Sequence, residues 1–180
     1  MPLFRPVILR IFVSGLILKK MADDYLRRKM EEYLARTASG PRNRRPLATL
    51  GRLLLKNRSH RGYDARFVVR GDQLRRIIGV NAKIPSARNQ QVLRFRPVLA
   101  DEAPKVLPHI RLGGALPELH LPLPGTEPNA FIIICSTVAE DRYVDIDLGI
   151  SAQSMLLQAV EIGLNGICIG AFDKEPIRRE

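Results

Sequence analysis

Two polar clusters interrupt otherwise apolar stretches of the chain: Asn57-Arg58-Ser59-His60-Arg61 and Pro85-Ser86-Ala87-Arg88-Asn89-Gln90-Gln91. Together they supply guanidinium forks, hydroxyls and carboxamides. Guanidinium groups neutralise phosphate through paired N–H donors, while amides and hydroxyls read polyol oxygens and the edges of a heteroaromatic ring. A ligand with a phosphate, a polyol tail and a planar ring would use the whole mixture. Either cluster alone reads more simply as a helix cap or a polar turn. Other chemistries lack their residues. His60, His109 and His120 show no H-x-x-x-H or H-E-x-x-H spacing, and Cys135 and Cys168 no C-x-x-C or Cys/His pattern, so no metal site is expected. There is no G-x-S-x-G elbow and no G-x-x-x-x-G-K-S/T loop, and Gly166 to Gly170 does not make a G-x-G-x-x-G fingerprint.

These residues sit in a chain of 180 residues, 46% hydrophobic, enough for one domain with a real core. Two cysteines cannot build a disulfide framework, which points to a reducing, cytoplasmic compartment. Residues 1–100 hold 23 Lys and Arg against 6 Asp and Glu, a balance of +17; residues 101–180 hold 6 against 12, a balance of −6. A basic surface can serve nucleic acid, a membrane surface or a phosphorylated ligand. The uneven distribution, aromatics at 6% and the absence of Trp argue against nucleic acid.

The elements that must position the clusters follow from periodicity. The run from Val7 to Leu18 carries Arg10 and is too short to span a bilayer; Lys19-Lys20 stand where a signal-peptide cleavage site would be. Residues 1–21 are therefore expected to be an extension outside a domain of residues 22–180, with Met21 a candidate start of the working protein. Leu26, Met30, Tyr33, Leu34 and Thr37 predict a helix ended by Gly40-Pro41, and a basic loop, Arg42 to Arg45, follows. A second helix is predicted over Leu47–Lys56, and a third, capped by Asp72, carries Leu74, Ile77 and Ile78. Val92 to Leu99 reads as a strand that Pro97 confines to an edge or to its own end. Pro104 to Pro128 reads as a surface excursion, a lid or a subunit-spanning loop. Phe131 to Cys135 predicts a strand buried on both faces. The next helix has Asp145 and Asp147 in its first turn and Ile146, Ile150, Gln153, Leu156, Leu157 and Val160 on one face; Gly163 ends it. Ile167 to Ile169 begins another strand. From these elements alone, the domain is α/β or α+β.

Three motifs in order resemble the nitroreductase-like family of FMN-dependent oxidoreductases, over about Leu54 to Asp173. The family's R-x-S-x-R/K appears as Asn57-Arg58-Ser59-His60-Arg61, and its P-S-x-x-N-x-Q as Pro85-Ser86-Ala87-Arg88-Asn89-Gln90-Gln91. Its central helix and flavin loop appear as Asp147 to Gln153, Gly163-Leu164 and Cys168-Ile169-Gly170-Ala171-Phe172. Asn57 departs from the family's first Arg, and Val92-Leu93 from its Pro-Trp.

The resemblance implies an α+β fold with a central mixed sheet flanked by helices, in a homodimer with FMN at each subunit interface. By position, Arg58, Ser59 and Arg61 would hold the FMN phosphate and ribityl. Pro85, Ser86, Arg88, Asn89 and Gln91 would serve the ribityl, the ring edge or the partner's flavin. Cys168, Ile169, Gly170 and Ala171 would form the loop whose Gly170 and Ala171 N–H groups face the ring, with Gly170 permitting close approach and Cys168 a small packing residue. NADH or NADPH would deliver hydride to flavin N5, and a nitroaromatic, quinone or enone would then be reduced. A cationic surround would favour the reduced flavin anion, and no side chain is assigned as catalytic. No nucleic-acid or membrane partner is expected. Family members continue with a further strand, a Lys or Arg reaching the cofactor and a C-terminal arm, so weak FMN binding is expected of this chain. The alternatives are a member with another flavin reaction or an inactive flavin binder, and, more remotely, a basic nucleic-acid or membrane-surface protein.

Overall fold

The apolar run Phe131-Ile132-Ile133-Ile134 opens strand β3, Phe131–Ser136, in a computed structural model that describes residues 9–15, 49–113 and 120–179. Beside it run β1, Leu9–Gly15, β2, Leu93–Val98, and β4, Asn165–Ile169, in the order β2-β3-β1-β4. Every adjacent pair is antiparallel, so the sheet is not the mixed sheet expected. The architecture is α+β. β2 is an edge strand, as Pro97 requires: its imide nitrogen has no N–H to give a second neighbour.

β1 corrects the expected boundary at residue 22. Leu9–Gly15 lies inside the sheet, with Ile11 level with Ile133 on one side and Ile169 on the other. The physical reason is length. Seven residues are far too few for a spanning helix, but an ordinary strand needs only about five or six. The expected helix from Asp24, the basic loop at residues 42–45 and the start at Met21 lie outside the described residues.

Alternation along β3 gives the sheet two buried faces. Ile132 and Ile134 pack with Leu74 and Ile77 of α2, Gly71–Ile78, and with Val144, Leu148, Met155 and Ala159 of α4, Arg142–Glu161. Phe131 and Ile133 pack on the other side with Tyr63, Val98, Ile169 and residues of the segment after β2. Full burial of each such side chain stabilises by about 1.5–3 kcal/mol. Part of the expected surface excursion, Pro104 to Pro128, reaches the core, while residues 114–119 lie outside the described residues. The segment after β2 forms a short helix α3, Ala103–Val106, and buries Ala103, Val106 and Leu112 in that second core. The last helix, α5, Lys174–Arg179, adds Ile177.

Two helix readings also change. α2 is not capped by Asp72: Arg70 occupies the cap position, its N–H donates to Gln73 Oε1 at 2.9 Å, and Asp72 pairs with the Arg70 guanidinium at 3.0 Å. That reciprocal half of a capping box needs only the three-residue spacing from Arg70 to Gln73. α4 begins at Arg142 with Asp141 as its cap, accepting from Tyr143 N at 2.9 Å and Val144 N at 2.8 Å, so Asp147 lies in the second turn. Its buried face is Val144, Asp147, Leu148, Ser151, Ala152, Met155, Ala159 and Val160, while Ile146 and Gln153 are exposed. Apolar residues surround this helix, and the face rich in small residues is the one that reaches the sheet. Gly163, at φ +84, ends α4 as expected, with Leu164 N donating to Ala159 O at 2.8 Å and Gly163 N to Val160 O at 3.1 Å.

Candidate functional site

The segment from Pro85 to Gln91 is a strap wound tightly over the start of α4. Arg88, Asn89 and Gln91 have φ of 52, 53 and 49, a left-handed backbone that side chains with a Cβ rarely adopt. Three hydrogen bonds hold the coil: Asn89 N to Ser86 O at 3.0 Å, Gln90 N to Ala87 O at 3.1 Å, and Gln91 N to Ser86 Oγ at 3.1 Å. Its anchor is Asp147, a buried carboxylate that accepts the Ala87 N–H at 2.7 Å. The Arg88 guanidinium lies over the Tyr143 ring, 4.8 Å from its centroid. One turn before the strap, Asn81 Oδ1 accepts from the buried Ser151 hydroxyl at 2.6 Å. The outward side of the strap presents Pro85, Arg88, Asn89, Gln90 and Gln91 to solvent, with Ser86 half-buried.

The cluster Asn57 to Arg61 follows α1, Thr49–Lys56, as a loop in which Arg58, Ser59 and Arg61 are exposed. Arg61 donates to Ser59 O at 3.2 Å, and the buried Tyr63 donates its hydroxyl to His60 O at 2.8 Å, pinning the loop to the second core. Burial pushes the Tyr63 phenol well above its ordinary range; the nearby Arg61 charge pulls it back only partly.

The third segment leaves the edge strand β4. Ile169 is buried, and Gly170 and Ala171 are exposed. A Cβ on Gly170 would meet no atom within 4 Å, so one side of this backbone is open. Ala171 O accepts from Arg111 N at 2.9 Å, which ties the loop to the segment after α3. Cys168, expected as a small packing residue, is exposed. No disulfide joins it to the half-buried Cys135, whose thiol is pushed up by burial.

The strap and the Gly170 loop stand at the same end of the sheet, since β2 begins where β3 and β4 end. They flank opposite edges, three strand spacings or about 14 Å apart. The 57–61 loop stands elsewhere. Leu53 of α1 lines a groove of about 230 Å³ with Leu157, Gln158 and Glu161, about 15 Å along α4 from Asp147. Tyr63 N donates to Thr126 O at 3.0 Å, before β3 begins. The groove contains none of the candidate residues. Within one chain, the three segments are not gathered around a single point.

Exposed ion pairs link Arg66 to Asp64 at 2.8 Å and Arg111 to Asp173 at 3.1 Å, and Arg96 donates to Glu102. The Arg66 hydrogen bond holds Asp64 below the usual carboxylate range, and Arg70 does the same for Asp72. Among the described residues no group of three or more His, Cys, Asp and Glu could hold a metal, and no helix is long and apolar enough to cross a membrane. Three residues that position the strap escaped sequence reasoning: Asp147 as its anchor, Ser151 as the partner of Asn81, and Tyr143 beneath Arg88. The available signal is Asp147 and Ser151 four residues apart, on one face of the helix. No family model matches the chain, and no curated protein matches it.

Proposed function

We propose that the protein is an FMN-dependent oxidoreductase of the cytoplasm that uses NADH or NADPH to reduce an electron-poor nitroaromatic, quinone or enone. The observation that carries this reading is the strap. Three non-glycine residues held in left-handed backbone cost on the order of 1 kcal/mol each, and such strain concentrates where side chains must be aimed at a ligand. The strap carries a guanidinium, a hydroxyl and carboxamides, the donor set suited to a polyol and a ring edge.

The residues fit FMN chemically. The exposed Arg58 and Arg61 with Ser59 suit a phosphate dianion, the strap suits ribityl oxygens, and the backbone at Gly170 and Ala171 has an open side where a flat ring could come close. Because these segments stand apart in one chain, the proposal places the site between two copies, each contributing part of it. FMN, when bound, supplies the hydride and electron transfer. The protein's part is binding, orientation and a cationic surround, and no side chain is required as an acid or base.

The test is loss of NAD(P)H absorbance by the protein with added FMN and a quinone acceptor. Turnover by the parent that is lost in Arg58→Ala/Arg61→Ala supports the reading. A parent with no turnover above free FMN, or a double variant as active as the parent, overturns it.

A further inference from the structure

Helix α4 carries apolar residues on a second side. Tyr143, Ile146, Ile150, Gln153 and Leu157 recur at intervals of three and four, and at about 100° per residue they fall within an arc about 80° wide, on the side away from most of the buried face. Tyr143 and Ile146 are 43% and 46% exposed, and Ile150 and Leu157 are half-buried. So narrow a stripe, at heptad spacing, is the seam of a helix pair. Tyr143 stands at one end of it. At the other end, Leu157 lines the groove of about 230 Å³, together with Leu53, Val80 and Glu161.

We propose that two copies of the chain pair through this stripe, α4 antiparallel to α4 about a two-fold axis at Ile150, with Tyr143 of each copy in the groove of the other. The spacing selects a second copy as the occupant. Ile150 is midway between Tyr143 and Leu157, about 10 Å along the helix from each, so the rotation that sets Ile150 on its own counterpart also sets Tyr143 on Leu157. Beside the axis, Gly149 is exposed, and an added Cβ would meet no described atom within 4 Å, which leaves room for the second helix. The groove suits the ring. Leu53, Val80 and Leu157 match its apolar body, and Glu161, which accepts from Gln158 and lies 3.8 Å from Arg76, keeps lone pairs for its hydroxyl. Charge agrees, because Arg88 is stacked on the Tyr143 ring and travels with it to the half-exposed Glu161 carboxylate. An aromatic side chain seated in a pocket is the kind of contact that anchors an interface.

That this pairing completes the flavin site rests on the function proposed above. The strap lies over the start of α4 through Asp147 and Tyr143, and α1 leads into the 57–61 loop near its end. Antiparallel pairing therefore sets the strap of one copy at the same end as Arg58 and Arg61 of the other.

Sedimentation equilibrium of the full chain without flavin is expected to give a mass that rises with concentration towards that of a dimer. Tyr143→Ala, which truncates an exposed side chain, weakens association by at least on the order of thirtyfold, since each dimer loses two aromatic anchors. In a Cys168→Ser background, Ile150→Cys gives a disulfide-linked dimer on mild oxidation, because facing helices with axes about 8–10 Å apart bring their Cα atoms within reach of a disulfide. Arg142→Cys gives none, its two copies lying about 24 Å apart along the pair. A parent that stays monomeric, a folded Tyr143→Ala that associates like the parent, or cross-linking at position 150 no greater than at position 142 overturns the pairing. If circular dichroism shows that Tyr143→Ala does not fold, the parent's mass and the cross-linking decide. A dimer that binds no flavin removes the flavin reading and leaves the pairing, and a monomer that binds flavin does the reverse.

Discussion

The strap depends on one buried carboxylate, and Asp147→Ala is the perturbation that isolates it. Asp147 is 5% exposed and accepts the Ala87 N–H at 2.7 Å. A hydrogen bond to a charged acceptor is worth about 1.5–3 kcal/mol, and removing the acceptor also leaves the donor without its partner. Ala87 is half-buried, so water replaces part of the lost bond. The expected net loss is about 2 kcal/mol, about a thirtyfold change in the unfolding equilibrium. Asp147→Asn, which keeps a neutral acceptor oxygen in place, loses about half as much. Urea unfolding of the full chain gives the stability, and amide exchange at Ala87 gives the local effect. Asp147→Ala with stability within about 0.5 kcal/mol of the parent and unchanged exchange at Ala87 would refute the anchoring role, since a surface substitution costs that little.

Removing residues 1–20 takes β1 from between β3 and β4 and leaves both with unpaired backbone; the expected result is aggregation and loss of cooperative unfolding, and a shortened chain that melts like the parent contradicts β1's place in the sheet. Gly163→Ala meets no atom within 4 Å but must adopt φ +84, so it costs about 1 kcal/mol from the backbone alone, read by urea unfolding. Asp64 has a lowered folded-state pKa, caused first by the Arg66 side-chain hydrogen bond, so its contribution is present above the unfolded value of about 3.9 and is lost as pH falls through the folded value. An NMR titration of Asp64 should show a midpoint below that of Asp64 in Arg66→Ala, and equal midpoints would remove the cause.

Local signals of strong physical origin were legible in the sequence. Phe131 to Ile134 suit a strand covered on both faces, Pro97 suits an edge strand or a strand end, and the left-handed backbone that ends α4 favours a glycine at position 163. What depends on partners distant in sequence was not. The run from Val7 to Leu18 speaks locally only against a spanning helix, because nothing in it shows that β3 and β4 leave room for a strand between them. The buried face of α4 is not legible locally, because apolar residues occur all around the helix and only the approach of the sheet favours Ala152 and Ala159 over Ile146 and Gln153. In the candidate site, residue types give the polar groups that the strap carries, but not its winding or its anchor. Asp147 resembles any acid near a helix start until Ala87, 60 residues away, is placed beside it.

In the flavin reading Arg58 and Arg61 would recognise the phosphate, and the most direct test compares FMN with riboflavin, which differ by that group alone. Equilibrium titrations followed by flavin fluorescence give the ratio of affinities whatever the absolute strength of binding. The parent is expected to favour FMN by at least on the order of a hundredfold, and Arg58→Ala/Arg61→Ala to bind both flavins alike, since each charge-assisted contact is worth about 1.5–3 kcal/mol. A parent that binds neither flavin, or binds both equally, would contradict the account.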